Sequence, residues 1–247
     1  MKTFSKTYYV IASLASSSFL VSCDKTVTYP EQTNAEITEE KILEIFNGKD
    51  LTGWKKVGGT GEYKVEDGCI VGFGENVKGN TFLRTEKTYT DFELTYEFKF
   101  DHLKGNSGLM FRANQKPSEG GNGRVFGYQC EGDNTKRSWT AGLYDEARRG
   151  WLFPTKDEKG KELAKSFTTQ GNKIFKWDDW NTIRIRCEGN HIQTYLNGEK
   201  RVDFVDTDKV NDTREGFFGL QVHGGKACQV RWRNFKLVEL SKAEEKK

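Results

Sequence analysis

Proline is scarce in this 247-residue chain, three residues against 26 glycines. That ratio excludes a proline-rich, extended architecture and supplies what many tight turns require. An excess of one charge is also missing. The formal net charge is +3, and Lys2 and Lys6 lie in a segment that is expected to be removed, which leaves +1. Such a balance gives no reason to expect nucleic acid as a partner. No apolar run reaches the roughly 20 residues that a membrane-spanning helix needs. No C-x-x-C pair occurs, and no cysteine has a histidine at zinc-finger spacing, so a structural zinc is not expected. Neither an internal repeat nor a second domain is visible. Aromatic residues are plentiful, at 13% of the chain, enough for one sizeable core.

The first residues read as an address. After the basic start at Lys2 and Lys6, residues 8–21 are apolar, rich in small residues and free of charge, too short to span a bilayer and matching a signal-peptide core. The stretch ends in L-V-S-C at 20–23, a lipobox-like run. Residues 1–22 are therefore expected to be cleaved, leaving Cys23 as an acylated N-terminus whose lipid is the protein's only hold on a membrane. An exported lipoprotein, periplasmic or cell-surface, is the implied localisation. Residues 23–40 are polar, contain Pro30 and lack apolar periodicity, as a tether would. Residues 41–240 form the domain, and 241–247 a charged tail.

From Lys41 to Leu240 the pattern is strand after strand. Leu94, Tyr96, Phe98 and Phe100 alternate with Glu93, Thr95, Glu97 and Lys99, and Ile183, Ile185 and Cys187 alternate with Thr182, Arg184 and Arg186. That period of two belongs to half-buried strands. Asn197-Gly198 supplies a hairpin turn after a strand at 192–196. Further strands are predicted at 62–66, 69–73, 81–85, 107–113, 126–132, 140–145, 216–223 and 227–238, with one helix-friendly stretch at 157–167. Many antiparallel strands without strand–helix alternation predict an all-β jelly-roll sandwich of two sheets. Cys69, Cys130, Cys187 and Cys228 each fall inside a strand-like run. Export permits disulfides, while buried strand positions favour free thiols, and the sequence leaves both open.

Strand parity picks out candidate site residues. Asn106, Gly108, Met110 and Arg112 share one face of their strand; Gln129, Glu131 and Asp133 share one of theirs; Gln221 shares a face with His223. If these strands pair in one sheet, their polar faces line a groove. The choice of Asn, Gln, Arg and His, rather than the Lys and Glu of an ordinary solvated face, suits directional bonding to hydroxyls. In the run at 137–152, Asp145 and Glu146 are adjacent and so point to opposite faces of a strand. One can be a groove acid, and the other is expected to pair with Arg148 or Arg149. Trp139, Tyr144 and Trp151 are candidates for stacking on sugar rings, or else for the core.

The ordered set F-N-G-K-D-L-T-G-W, N-S-G-L-M-F-R, G-Y-Q-C-E-G-D, A-G-L-Y-D-E-A-R-R-G-W, W-N-T-I-R-I, L-N-G and G-L-Q-V-H-G resembles the 3-keto-disaccharide hydrolase family, also described as 3-keto-glucoside 1,2-lyase and 3-keto-2-hydroxyglucal hydratase domains. The similarity spans about 41–240 and implies a concanavalin-like jelly roll. Where many members carry G-x-E-x-Q, this chain has Gly127-Tyr128-Gln129-Cys130-Glu131, with acid and amide exchanged.

The resemblance implies elimination from an oxidised, 3-keto glycoside or oligosaccharide. The ketone acidifies the proton on C2, the aglycone leaves C1, and water adds back across the double bond. Such a route needs a base, an acid and a hydrogen-bonding or positive group for the enolate oxygen. Glu131, His223 and Asp145 are the catalytic candidates. Asn106, Arg112, Gln129, Tyr144, Glu146, Arg149, Trp151 and Gln221 are candidates for substrate binding. No cofactor is demanded, although Glu131, Asp145 and His223 are plausible ligands for a divalent metal on the enolate oxygen. A non-catalytic carbohydrate-binding module of the same fold is the alternative. The E-x-D-x-x-E strand motif of laminarinase-type glycosidases is missing, since Asn134-Thr135-Lys136 follows Asp133.

Overall fold

A computed structural model describes residues 42–101 and 105–240. The expected signal segment at 1–22, the tether at 23–40 with Cys23, and the tail at 241–247 lie outside the described residues. In chain order the elements are β1 (Ile42–Leu43), β2 (Trp54–Gly58), β3 (Glu62–Glu66), β4 (Cys69–Val77), β5 (Thr81–Thr85), β6 (Phe92–Phe100), β7 (Asn106–Gln115), β8 (Val125–Asp133), β9 (Leu143–Glu146), β10 (Gly150–Phe153), α1 (Lys161–Ile174), β11 (Asn181–Glu188), β12 (His191–Leu196), β13 (Glu199–Val205), β14 (Phe217–Val222) and β15 (Gly225–Glu239).

The strands form two antiparallel sheets stacked as the expected jelly-roll sandwich. One runs β13-β12-β11-β6-β15-β4-β3, with β1 beside β15; the other runs β10-β9-β8-β7-β14-β5-β2. The alternation in β6 is the alternation of burial: Phe92, Leu94, Tyr96, Phe98 and Phe100 are buried between the sheets and the residues between them are half-exposed. The opposing sheet contributes Leu109, Phe111, Tyr128, Cys130, Leu143, Leu220 and Val222 to the same core. Its other face carries a second apolar cluster of Val57, Phe82, Met110, Ala113, Val125 and Phe217. The central strands β7, β8 and β14 are thus buried on both faces.

Strands β2, β10 and β13 lie at sheet edges, where period-two alternation is weak. In β2, two exposed lysines separate the buried Trp54 from the buried Val57. The strand predicted at 140–145 begins at Leu143, because Ser138 and Ala141 adopt φ of 51° and 62° and turn the backbone. The predicted helix starts later and runs further, at 161–174; Asp157 caps the preceding turn by accepting from the Gly160 N–H at 2.9 Å. The four described cysteines are free and buried. Burial pushes the Cys187 thiol up to about 12 and that of Cys228 to about 11.

Arg112 corrects the parity argument. It sits at φ 44° in a bulge where the register between β7 and β8 shifts. The inserted residue returns Ala113 to the face of Met110 and turns Arg112 into the interior. Its fully buried guanidinium donates to Thr90 O at 2.7 Å, Gly189 O at 2.6 Å and Asp91 Oδ1 at 2.6 Å. Those partners precede β6 and follow β11, so one side chain ties the two sheets together. Arg112→Leu should lower stability by about 3 kcal/mol, because it strands a carboxylate and two carbonyls. Urea denaturation measures this, and a loss below about 0.5 kcal/mol would deny Arg112 the role of a tie.

Candidate active site

Strands β8, β7 and β14 are neighbours, which brings the three predicted polar faces together. On the face turned away from the first sheet, Glu131 lies opposite Gly108, and Gln129 opposite Met110. A cavity of about 170 Å³ opens here, lined by Asn106, Gln129, Glu131, Arg137, Tyr144, Glu146, Trp151, Gln221 and His223. Gly108 is required at its floor: a Cβ there would come within 2.7 Å of Gln129 Nε2 and 2.8 Å of Cys130 O.

Glu131 is 5% exposed. Its Oε1 accepts from Asn106 Nδ2 at 2.5 Å and Arg137 Nη2 at 3.0 Å, and its Oε2 from Gln129 Nε2 at 3.0 Å. Burial raises its pKa to about 7, against the lowering effect of the Asn106 bond and the Arg137 charge. Gln129 and Gln221 exchange amide bonds at 3.4 and 3.2 Å, so the amides beside the carboxyl hold one another in place.

Arg137 carried no expectation. It lies outside any strand, on the loop after β8, where parity has nothing to say. It bridges Glu131 and Asp133, donating to Asp133 Oδ2 at 2.7 Å, and its guanidinium lies 5.0 Å from the ring centroids of both Trp139 and Trp151. The sequence signal was Asp133 followed by Thr135: Asp133 accepts from the hydroxyl of Thr135 at 2.7 Å and from the Trp139 N–H at 3.1 Å, curling the loop back on itself.

The loop is held from behind by Arg201. This buried side chain donates to Thr140 O, Phe167 O, Gln170 Oε1 and Ser138 O at 2.8–3.2 Å and stacks on the Phe167 ring at 3.4 Å. Among the described residues no carboxylate meets it, and burial lowers its pKa to about 9. Gly171 of α1 packs against the same turn, where a Cβ would fall 2.1 Å from Ser138 O. Helix α1 and β13 thereby hold Arg137 and the two tryptophans at the cleft.

His223 follows β14 at the rim and is exposed, with Nδ1 2.6 Å from Gly224 O. A carbonyl only accepts, so Nδ1 carries the hydrogen and Nε2 presents its lone pair when the ring is neutral. Tyr144 and Trp151 pack edge to face at 5.2 Å along one wall, and Trp139 meets Trp151 at 4.6 Å.

Asp145 and Arg149 are not in the cleft. The division expected between Asp145 and Glu146 occurs, with Glu146 as the cleft acid. Asp145 lies opposite Tyr128 on the inner side of the sheet and is fully buried. It accepts from Arg148 Nε at 2.7 Å and Arg149 Nε at 2.5 Å. Arg149 is further bound to Asp206 at 2.7 Å and Asp208 at 3.3 Å. The metal set of Glu131, Asp145 and His223 is therefore not assembled: the sheet itself separates Asp145 from the other two. Among the described residues no three His, Cys, Asp or Glu side chains converge on a point.

Several solved structures share this fold. A candidate glycosyl hydrolase from Parabacteroides distasonis is 22% identical, covering 81% of this chain and 94% of that one, with a TM-score of 0.52. The carbohydrate-binding module CBM66 from Bacillus subtilis is 17% identical over 75% of this chain and 95% of its own, TM-score 0.51. A Bacillus subtilis protein of unknown function with a galectin-like fold is 11% identical over 78% and 92%, TM-score 0.56. At these identities the likeness is one of fold. Among curated proteins, none matches. A family model, however, matches residues 42–238, nearly the whole described domain, and by that match the chain belongs to the 3-keto-alpha-glucoside-1,2-lyase-like domain family.

Proposed function

We propose that the protein is an enzyme that cleaves 3-keto-glycosides by elimination across C1–C2, hydrates the 3-keto-2-hydroxyglucal product, or does both in turn. The observation that carries this reading is the buried Glu131 carboxyl, set near pH 7 in an open cleft and ringed by Arg137 and three amides. Binding alone has no need of a carboxyl held at that point.

In this reading Glu131 takes the C2 proton, and the electron pair of that bond flows into the enolate across C2 and the C3 oxygen. Arg137 and the amides of Asn106, Gln129 and Gln221 donate to that oxygen. Collapse of the enolate forms the C1–C2 double bond and breaks the bond from C1 to the aglycone oxygen, which takes a proton from Nε2 of His223 in its imidazolium form. Hydration adds hydroxide at C1 and a proton at C2. Trp151 and Tyr144 hold the sugar ring against the wall. No step calls for the paired carboxylates of an ordinary glycosidase.

The full chain should release aglycone from a 3-keto-glucoside and leave the unoxidised glucoside intact. Glu131→Gln should lower kcat/KM at least about 100-fold. His223→Ala should slow release of an alkyl aglycone but spare a nitrophenyl one, whose departure needs no proton. If neither glucoside is cleaved, with or without divalent metal, yet sugar binding persists, a non-catalytic binding module replaces this reading.

The base must be ionised, so with a nitrophenyl aglycone, which leaves without an acid, kcat/KM should rise with pH through about 7 and level off above it; a profile falling through 7 would make Glu131 the acid. Its folded pKa stands above its ordinary 4.5, so the native state loses stability as pH rises towards 7. Glu131→Gln removes that loss, and its relative gain between pH 4 and 8 should be on the order of 3 kcal/mol.

The L-V-S-C run at 20–23 supports a companion proposal, that acylated Cys23 anchors the domain on a membrane facing the periplasm or the outside. Cys23→Ser should move the protein from the membrane fraction to the soluble one; continued sedimentation with membranes would refute the anchor.

A further inference from the structure

The cleft occupies one end of its sheet face. The cross-strand row through Gln129 continues to Met110, Gly219, Arg84 and Lys55. Arg84 therefore stands three strand spacings from Gln129, about 14 Å away on the same face. Between them the apolar cluster of Met110, Phe82, Val125 and Phe217 is buried. Beyond it a cavity of about 420 Å³ is lined by Lys55, Arg84, Lys116, Gln115, Ser118 and Phe217, with no acidic residue in its lining.

Three cations meet here without a counter-charge. Among the described residues, neither Lys55, Arg84 nor Lys116 has a carboxylate within ion-pair distance, whereas the neighbouring Lys56 is paired with Glu62 at 2.6 Å. The guanidinium of Arg84 rests on the Phe217 ring, 4.9 Å from its centroid, and Nη1 donates to Thr85 O at 3.1 Å. Its Nε is buried and has no partner, a donor whose desolvation nothing in the chain repays. The loop between β7 and β8, which supplies Lys116 and Ser118 to the pocket, is fixed. Asn122, on the loop between β7 and β8, accepts from Gly58 N at 2.6 Å and donates to Gly58 O at 3.1 Å. Gln115 Nε2 donates to the carbonyls of Gly121 and Gly123 at 3.1 and 2.9 Å.

We propose that this pocket is a subsite for an anionic substituent, a carboxylate or sulfate ester, on a part of the saccharide remote from the unit in the cleft. The inference rests on the carbohydrate reading of the cleft. A ligand of several sugar units would span from the cleft to the pocket with its anion on Arg84, flanked by Lys55 and Lys116. The molecule thereby selects acidic or sulfated oligosaccharides over neutral ones.

Binding of a uronate-terminated oligosaccharide to the full chain, compared with its carboxyl-reduced counterpart, tests this by calorimetry. The acid should bind about tenfold tighter at low salt, and the preference should vanish in 0.5 M salt. Exposed Lys55 and Lys116 can be replaced without disturbing the core, so a Lys55→Gln/Lys116→Gln pair, alongside Arg84→Gln, should abolish the preference and leave the neutral compound's affinity unchanged. A sugar-free arm measures protection of Lys55 and Lys116 from acetylation by inorganic sulfate. Equal affinity for both compounds with no protection by sulfate overturns the anion subsite and leaves the cleft reading intact. Protection by sulfate with no saccharide bound upholds the anion site and overturns its carbohydrate occupant.

Discussion

Glu131 carries its carboxyl at the floor of the cleft with only 5% of the residue exposed, and a carboxylate so placed must be met by donors or hold a proton. Much of the surrounding architecture answers that constraint. Asn106 and Gln129 reach it from the neighbouring strand and from its own, and Gly108 is bare to admit the Gln129 side chain. Arg137 arrives from a loop that Asp133 curls and Arg201 braces. The donors fall short of full compensation, and the carboxyl is left near pH 7. The exchange of acid and amide in Gly127-Tyr128-Gln129-Cys130-Glu131 keeps both groups in the cleft, because residues two apart on a strand share a face.

The remaining buried charges are spent on assembly. Arg112 joins the sheets through Asp91, Thr90 and Gly189. Asp145, Arg148, Arg149 and Asp206 form a buried network behind β9, in which the Tyr128 hydroxyl also donates to Asp206. Removing either network would leave charges unpaired in a low-dielectric interior. Arg201 differs in kind: among the described residues it has no counter-charge and is solvated by backbone carbonyls and the Phe167 face, so its worth lies in fixing the geometry of the loop at 137–142.

Across the seven-stranded sheet the outer side holds a polar cleft at one end, a buried apolar cluster in the middle and a cationic pocket at the other end. A compact monosaccharide would touch only the first. Recognition of a longer ligand on this face is thereby divided between a reacting unit at one end and an anion at the other.

The sequence by itself determined the all-β sandwich, most strand positions and the polar faces of β7, β8 and β14, because side-chain alternation with period two is local and survives in any half-buried strand. It also required that Asp145 and Glu146 point apart. Which of the two faces the cleft was decided by the pairing of β9 with β8, a long-range contact. Arg112 left the predicted face because one residue inserted in a bulge reverses parity from that point on, and its φ of 44° has no signature in a strand-like run. Arg137 was invisible to alternation, being in a loop. The meeting of Lys55, Arg84 and Lys116 joins three segments far apart in sequence, and only the strand order could bring them together.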